Sequence, residues 1–319
     1  MKHILMIDPA VSAVNIGDEI ISSSIREQMA DILNDSFVTS ISSHLPLSYI
    51  YKKAIGRCDY KFVCGSNLLM GKLNGRFKQW HIGYPDIGFL RGAITIGAGW
   101  WQYNNKPNLY TKILYRSILS KDYIHSVRDN YTVQMLQKVG ITNVLNTGCA
   151  TMWNLTPEHC AEIPTKKSHS VVFTLTDYNK NQETDQALID LLCESYETVY
   201  FWPQGVGDYD YFGTLKSPKE IIMIPPNLKA YDELLEKEDL DFVGTRLHGG
   251  VRALQKKKRT IIIAIDNRAK EKQKDFNLVC VERSDLSALR ERIEGEWQTD
   301  IHIPLENIKR WKAQFEIRV

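Results

Sequence analysis

Short apolar runs alternate with longer amphipathic stretches along most of the chain. The run 3–8 (HILMID) precedes a polar loop and then IISSSIREQMADIL, whose apolar spacing predicts a helix. Further strands are predicted at 37–42, 60–69, 92–101, the start of 123–141, 144–153, 171–178, 198–205, 220–226, 241–244, 260–266 and 278–283. This alternation predicts an α/β fold with two doubly wound parallel sheets, Rossmann-like and GT-B-like, facing each other across a cleft.

A polar segment separates the two halves of the pattern. Residues 156–170 (TPEHCAEIPTKKSHS) contain two prolines and little periodicity, which indicates a linker. We therefore predict an N-terminal Rossmann-like domain over 1–156, on the acceptor side, and a C-terminal one over 157–299, on the donor side. Within 300–319, LENIKRWKAQFEI has helical spacing and predicts a helix that packs back on the N-terminal domain.

Composition excludes several classes of protein. The formal net charge of +2 over 319 residues gives no bulk support to a nucleic-acid binder. The six cysteines form no C-x-x-C pair, so neither a zinc site nor a disulfide framework is predicted, and buried reduced thiols favour the cytoplasm. No segment approaches the roughly 20 apolar residues of a membrane span, which leaves a peripheral position at the inner membrane face open.

Ligands of open parallel sheets bind beyond the carboxyl ends of the strands, so residues after each apolar run are candidates. After the first strand, NIGDE offers Asn15, Gly17, Asp18 and Glu19. The glycine lets backbone approach a ligand, and the polar groups suit an acceptor. The alternative is an ordinary turn in which Asp18 stabilises a helix N-terminus.

Cations follow strands in both halves. Arg128, in SVRDN, is either half of a surface pair with Asp129 or a guanidinium aimed at a phosphate or carboxylate. Arg246 and His248, in DFVGTRLHGGVRAL, lie between a buried strand and a predicted helix N-terminus, where amides attract anions. There the imidazole is a candidate proton donor, since an adjacent phosphate favours its charged form.

Four further features have two interpretations each. Arg268 and Lys270, in IDNRAKEK, either add positive charge at the same sheet edge or are solvated. The run KKKR (256–259) predicts a solvated turn, with contact to anionic lipid headgroups as the alternative. Trp100 and Trp101, in GAGWWQY, are weak acceptor candidates beside the more common role of tryptophan in the core. The stretch WPQG at 202–205 is another.

Nucleotide and metal motifs are missing from the sequence. There is no G-x-G-x-x-G fingerprint, no Walker lysine motif and no metal-ligand cluster. We therefore expect no bound nucleoside triphosphate, no metal and no cofactor.

These motifs in this order resemble the polysaccharide pyruvyl transferase family. The resemblance rests on NIGDE, SVRDNYTVQMLQKVGI, TGCATMW, WPQG and DFVGTRLHGGVRALQKKKRTIIIAIDNRA, and it spans residues 4 to 270. It implies a GT-B-like fold, phosphoenolpyruvate as donor co-substrate, and a sugar of a cell-surface glycan or its lipid-linked precursor as acceptor. The product would be a pyruvate ketal.

The resemblance also assigns roles to residues. It makes Arg128, Arg246 and His248 the donor-site residues, with His248 in proton transfer and Arg246 stabilising charge. Arg268 stands where the family commonly has a lysine, and Lys270 lies two positions on, so either residue supplies the third cation.

Two other functions fit the layout. One is a GT-B glycosyltransferase that uses a nucleotide-sugar donor. The other is a non-catalytic member of the family that binds anionic glycans. The acceptor sugar, the ketal stereochemistry and the oligomeric state are not predicted.

Overall fold

The structure is a computed structural model that describes residues 1–48, 52, 55, 57–103 and 106–315. The chain divides into two compact units. The first unit comprises residues 1–13 and 21–153 and the segment that begins at Ile303. The second unit comprises residues 14–20 and 154–302.

Parallel strands form the centre of the first unit. Strands β1 (Lys2–Asp8), β2 (Ser36–Ser42), β3 (Tyr60–Cys64) and β4 (Ile94–Ile96) pair in the order β2-β1-β3-β4. Strands β5 (His125–Val127) and β6 (Val144–Asn146) form a parallel pair, which a bridge from Ala98 to Val127 joins to the segment after β4. The helices are α1 (Ile16–Gln28), α2 (Ala30–Leu33), α3 (Ile87–Leu90), α4 (Leu109–Ile118) and α5 (Asn130–Val139), with 3₁₀ turns at Tyr84–Asp86 and Ala150–Met152.

Apolar side chains cover both faces of this sheet. Along β1, Leu5 and Ile7 belong to one buried cluster, whereas Ile4 and Met6 belong to another. Successive side chains of a strand point to opposite faces, so a strand buried on both sides has a continuous apolar sequence. This explains why HILMID is apolar without alternation.

Helix α5 has the boundaries that its sequence predicts. The Asp129 carboxylate accepts the backbone N–H of Thr132 and caps the first turn. Gly140 ends the helix in the left-handed conformation, with φ 95°, which a residue without a Cβ adopts readily.

The second unit contains one six-stranded parallel sheet. Its strands are β7 (Ser170–Thr174), β8 (Thr198–Phe201), β9 (Ile222–Met223), β10 (Leu240–Gly244), β11 (Thr260–Ala264) and β12 (Cys280–Glu282), in the order β12-β11-β10-β7-β8-β9. The helices are α6 (Pro157–Ala161), α7 (Gln182–Ser195), α8 (Asp208–Phe212), α9 (Leu228–Lys237), α10 (Leu247–Gln255), α11 (Asn267–Phe276) and α12 (Leu286–Glu294), with a 3₁₀ turn at Asp177–Asn179. The strand order reverses between β7 and β10, which is the point where doubly wound sheets bind ligands.

The predicted linker, residues 156–170, contains the short helix α6 and contacts the rest of the second unit. Thr156 caps α6 by accepting the N–H of His159, and His159 Nε2 lies 2.8 Å from the Leu254 carbonyl oxygen. Cys160 and Ile163 are buried. The rest of the segment, apart from Ser168, is exposed or half-buried, so its two buried apolar side chains produce no periodic sequence.

The last helix belongs to the first unit. Helix α13 (Leu305–Ala313) buries Ile308 and Trp311, and Trp311 lies edge-on to Trp153 with ring centroids 5.8 Å apart. Residues 316 and 317, the end of the predicted helix, lie outside the described residues.

Candidate active site

Polar side chains gather in the second unit where four neighbouring strands end. They are Asp177 and Tyr178 after β7, Gln204 and Asp208 after β8, Arg246 and His248 after β10, and Asp266 and Arg268 after β11. Because β7 and β10 are neighbours, loops far apart in sequence meet at this edge. The sheet thus brings Arg246, His248 and Arg268 to the same edge.

Arg246 is buried and held by carboxylates. Its Nε donates to Asp208 Oδ2 at 2.9 Å and to the Leu175 carbonyl at 3.1 Å. One terminal nitrogen, Nη2, donates to Asp177 at 2.8 Å and also pairs with Asp208 Oδ1. Nη1 forms no hydrogen bond to any residue that the structure describes. The guanidinium is therefore fixed before a ligand arrives, and its Nη1 side is the one left for a ligand.

Asp208 is the centre of this arrangement. Its carboxylate has no exposed surface and accepts the backbone amides of Gly205 at 2.7 Å, Gln204 at 3.2 Å and Asp177 at 3.0 Å. Burial raises the pKa of the Asp208 carboxyl, and the Arg246 guanidinium opposes that rise. A buried carboxylate with this many donors orients Arg246 rather than binding a substrate anion.

Tyr178 connects the two arginines of the site. Its ring lies under the Arg246 guanidinium at 5.0 Å and near that of Arg268 at 5.9 Å, and its hydroxyl accepts a hydrogen bond from Arg268 Nη2. Arg268 also forms an ion pair with Asp266, the residue that caps α11. Arg268 is thus the cation after β11 that shares a neighbour with Arg246.

Lys270 lies elsewhere on α11. Its ammonium forms an ion pair with Glu282 at 2.9 Å, and about half of each side chain is exposed. This is the solvated alternative of the two that the sequence leaves open for Lys270. It separates Lys270 from the cluster around Tyr178.

His248 lies in the first turn of α10. That helix begins at Leu247, and Arg246, its N-cap residue, makes no side-chain capping bond. The first amides of an α-helix have no acceptor within the helix and attract anions. His248 is mostly buried, at 8 % exposed. An imidazole at this place is suited to exchange a proton with an anion bound at the helix N-terminus.

The NIGDE segment contacts the WPQG segment in the second unit. Asn15 Oδ1 accepts from Gln204 Nε2 at 2.8 Å and from the Gly17 amide at 3.0 Å. A Cβ on Gly17 would lie 2.6 Å from Gln204 Nε2, so the glycine makes room for this amide. Asp18 and Glu19 follow in the first turn of α1.

Arg128 is buried in the first unit, directly after β5. Its Nε donates to Asp129 Oδ2 at 2.8 Å and Nη2 donates to the Trp100 carbonyl at 3.2 Å. The guanidinium crosses Gly99 so closely that a Cβ there would lie 2.2 Å from Cζ. The Arg128–Asp129 pair is therefore a buried pair and not the surface pair that the sequence allows.

The two predicted tryptophans differ in exposure. Trp100 has no exposed surface and packs in the core with Tyr115, so a sugar ring cannot stack on it in this structure. Trp101 is half-buried, and its ring lies 5.0 Å from that of the exposed Phe77. The acceptor prediction for Trp100 is corrected for this reason.

The KKKR run is not a solvated turn throughout. Lys256 and Lys257 pair with Glu236 and Glu162. Arg259 is fully buried, where it binds Asp241 at 2.8 Å and three backbone carbonyls, those of Arg292, Ile293 and Gly295. These cations already form ion pairs and hydrogen bonds within the protein, which weakens the alternative that they contact lipid headgroups.

Sequence reasoning missed three residues of the site, Asp177, Tyr178 and Asp208, and named Gln204 only as part of the weak candidate stretch WPQG. Asp177 and Tyr178 lie three and four residues after β7, but the sequence predicts one strand over 171–178, so the rule that ligands bind after strands passed over them. Gln204 and Asp208 lie within and just after WPQG, but their partners are distant in sequence. Among the described residues, no three His, Cys, Asp or Glu side chains are placed to share a metal ion.

A family model for polysaccharide pyruvyl transferase matches residues 15–267. The chain belongs to the polysaccharide pyruvyl transferase family. The match includes every predicted site residue except Arg268 and Lys270, which follow its end directly. Membership confirms the resemblance and supports a transferase that acts on a polysaccharide.

The fold of this family member is similar to that of a solved structure. It is similar to the UDP-GlcNAc 2-epimerase of Methanocaldococcus jannaschii, with TM-score 0.56, 13 % identity, and coverage of 98 % of this chain and 99 % of that one. A family 9 glycosyl transferase of Veillonella parvula matches with TM-score 0.34, 12 % identity and 82 % and 80 % coverage. The wall teichoic acid polymerase TagF matches with TM-score 0.41, 10 % identity and 98 % and 81 % coverage. The predicted α/β, GT-B-like fold class is confirmed.

Curated sequences add nothing further, because none matches this chain. In the part of the chain that the structure covers, no helix is long and apolar enough to cross a bilayer.

Proposed function

We propose that the protein transfers the pyruvyl group of phosphoenolpyruvate to a sugar of a cell-surface polysaccharide or its lipid-linked precursor. The product is a pyruvate ketal, and inorganic phosphate is released. The observation that carries the proposal is the cluster of His248 and Arg246 at the start of α10 with Arg268 at the start of α11, in a chain of this family. Phosphoenolpyruvate carries a phosphate and a carboxylate, so its binding needs several cationic side chains that donate hydrogen bonds.

The residues suit the steps of this reaction. One proton adds to the methylene carbon of the donor, which becomes a methyl group, and C2 becomes electron-poor. The first sugar hydroxyl oxygen then bonds to C2 and its proton replaces the one that the acid gave up. The second hydroxyl oxygen bonds to C2 as the C2–O bond to phosphate breaks, and its proton leaves with the phosphate. His248 supplies the first proton, and the α10 amides, Arg246 Nη1 and Arg268 stabilise negative charge on the donor.

Two parts of the proposal rest more on sequence motifs than on contacts. Arg128 is assigned to the donor because SVRDN matches the family, and its buried position gives it a fixed orientation. Asp18 or Glu19 is assigned to the acceptor, as the group that orients or deprotonates a hydroxyl. Both carboxylates lie in the turn that Asn15 and Gln204 hold in place.

The deciding experiment is mass spectrometry of candidate glycolipid acceptors incubated with protein and phosphoenolpyruvate. A ketal adds one pyruvate and removes one water from the acceptor, which glycosyl transfer cannot imitate. His248→Gln protein is the matched control and should give little product. A hexose added from a nucleotide sugar, with no ketal formed on any acceptor, would support the glycosyltransferase alternative instead.

A further inference from the structure

A second cationic cavity lies in the first unit, at the sheet edge opposite to Arg128. Its volume is about 340 Å³, and its lining includes Arg91, Arg116, Lys121 and Asp122. Arg91 precedes β4 and Lys121 precedes β5, so the cavity lies at the amino ends of these strands. Substrates of parallel sheets bind at the carboxyl ends, so this cavity is separate from the substrate edge of the unit.

The charges around this cavity are not balanced. Three cations line it with one carboxylate, that of Asp122. Within the described ranges, neither Arg91 nor Lys121 forms an ion pair, whereas surface lysines elsewhere, such as Lys256 and Lys257, do. Like charges held close together repel each other, and a bound anion removes that cost.

A buried ammonium group beside the cavity also favours a bound anion. Lys61 is 7 % exposed, and its Nζ donates to the carbonyl oxygen of Arg91 at 3.1 Å. Burial lowers the pKa of Lys61, and no described carboxylate pairs with it. A buried charge without a counter-ion is unfavourable, so an anion in the adjacent cavity would stabilise the charged lysine.

The fold itself accounts for only one of these cations. Arg116 Nε donates to the Val139 carbonyl at 2.5 Å and so binds the C-terminal end of α5. No such contact fixes Arg91 or Lys121, whose side chains are exposed. Helix capping therefore explains why Arg116 is there but not why the other two converge with it.

We propose that this cavity binds a phosphate group, with Arg91, Arg116 and Lys121 as its ligands and Lys61 as a nearby fixed charge. The guanidinium forks suit phosphate oxygens, and the cavity volume suits a small phosphorylated molecule or a lipid headgroup. The site is additional to the proposed donor site and does not depend on it.

Titration with inorganic phosphate, followed by amide NMR of the full chain, tests this proposal. The Gly92 and Lys121 amides should shift and saturate in the wild type and in the control K256Q/K257Q. In R91Q/K121Q, which removes the same charge at exposed positions, the affinity read from these amides should fall about tenfold or more. The Gly249 amide reports the other site and should respond alike in all three proteins.

Equal affinities in R91Q/K121Q and in the control, or no saturable shift at Gly92, would refute the site. A second arm separates the two sources of phosphate. Vesicles of phosphatidylglycerol and of phosphatidylcholine are sedimented with each protein. If only R91Q/K121Q loses binding to the anionic vesicles, the ligand is a lipid headgroup. If all three proteins sediment equally and glycerol phosphate binds saturably, the ligand is a free phosphate ester.

Discussion

At the scale of residues, Arg246 is held by two carboxylates before any ligand binds. Asp208 faces it with both oxygens from a position without solvent contact. Removing both charges from water is unfavourable for the free energy of folding, and the hydrogen bonds between the two side chains offset that penalty. Arg246 therefore serves the fold and the site together, and its substitution should affect stability as well as binding.

Arg246→Met should lower the free energy of unfolding by about 3–5 kcal/mol, because it leaves the Asp208 carboxylate buried without its cation. The double variant R246M/D208N should recover part of that loss, since the unpaired charge is gone. Urea denaturation of the wild type, R246M, D208N and the double variant measures both quantities. Strictly additive losses would show that the two residues are not coupled.

His248 is the residue on which the proposed reaction depends most. His248→Gln keeps an amide donor of similar length but cannot supply a proton near neutral pH. Turnover should fall by about 10² to 10⁴, with phosphoenolpyruvate affinity changed only a few-fold. Phosphate release in single-turnover kinetics and a binding titration give the two values. An unchanged rate would remove His248 from the mechanism and favour a binding role for the site.

His125 should make stability depend on pH. Burial lowers its pKa to about 4; its Nε2 donates to the Ser120 carbonyl and its Nδ1 accepts from Thr95. The folded pKa lies below the unfolded value of about 6.5, so unfolding takes up a proton between those values. Stability is full above about pH 6.5 and is lost as the pH falls toward 4.

That loss should amount to about 3 kcal/mol in total, before the contribution of the carboxylates. Chemical denaturation from pH 7 to 4 measures it, and His125→Gln is the reference because it cannot titrate there. The wild type should show the steeper dependence. Parallel curves for the two proteins would mean that the fold does not lower the pKa of His125.

At the scale of elements, apolar pattern and glycine position predict α10 and its strand well. β10 is buried along its whole length, and a Cβ on Gly250 would lie 2.1 Å from Ile262 Cδ1. The glycine pair thus permits close packing of α10 on the sheet, which places His248 beside the strand ends. The apolar pattern does not predict that Arg259 is buried. Its partner Asp241 stands at the beginning of a predicted strand, where the sequence suggests an exposed carboxylate.

Two glycines directly after β4, Gly97 and Gly99, should respond differently to alanine. Ala at position 99 would displace the Arg128 guanidinium, whereas Ala at position 97 would have an unfavourable positive φ of 59° and contact backbone. Gly97→Ala should therefore cost about 1–2 kcal/mol in any background. Gly99→Ala should cost about 1 kcal/mol less in an Arg128→Ala background than in the wild type, because the atoms of Arg128 that a Cβ at position 99 would meet are absent there. Denaturant unfolding of the single and double variants distinguishes the two causes.

At the scale of the whole molecule, the sequence predicts the strands but not their order. The loops after β7 and β10 meet because these strands are neighbours, although they are about seventy residues apart. Arg246 is predictable because it ends an apolar run. Its partners Asp177 and Asp208 are not, since no local pattern reports a contact that the sheet order creates.

Ligand-linked stability tests the proposed donor on the intact chain. Phosphoenolpyruvate at a hundredfold excess over its dissociation constant should stabilise the protein by about 2.7 kcal/mol, whereas nucleotide sugars should not. The measurement is repeated in R91Q/K121Q, which lacks the second proposed phosphate site, with inorganic phosphate as the control for anion binding alone. His248→Gln should keep the effect because its loss is in proton transfer. Stabilisation by a nucleotide sugar but not by phosphoenolpyruvate would rule out the pyruvyl donor. Stabilisation by phosphoenolpyruvate without turnover on any acceptor would indicate a member of the family that binds its donor and does not react.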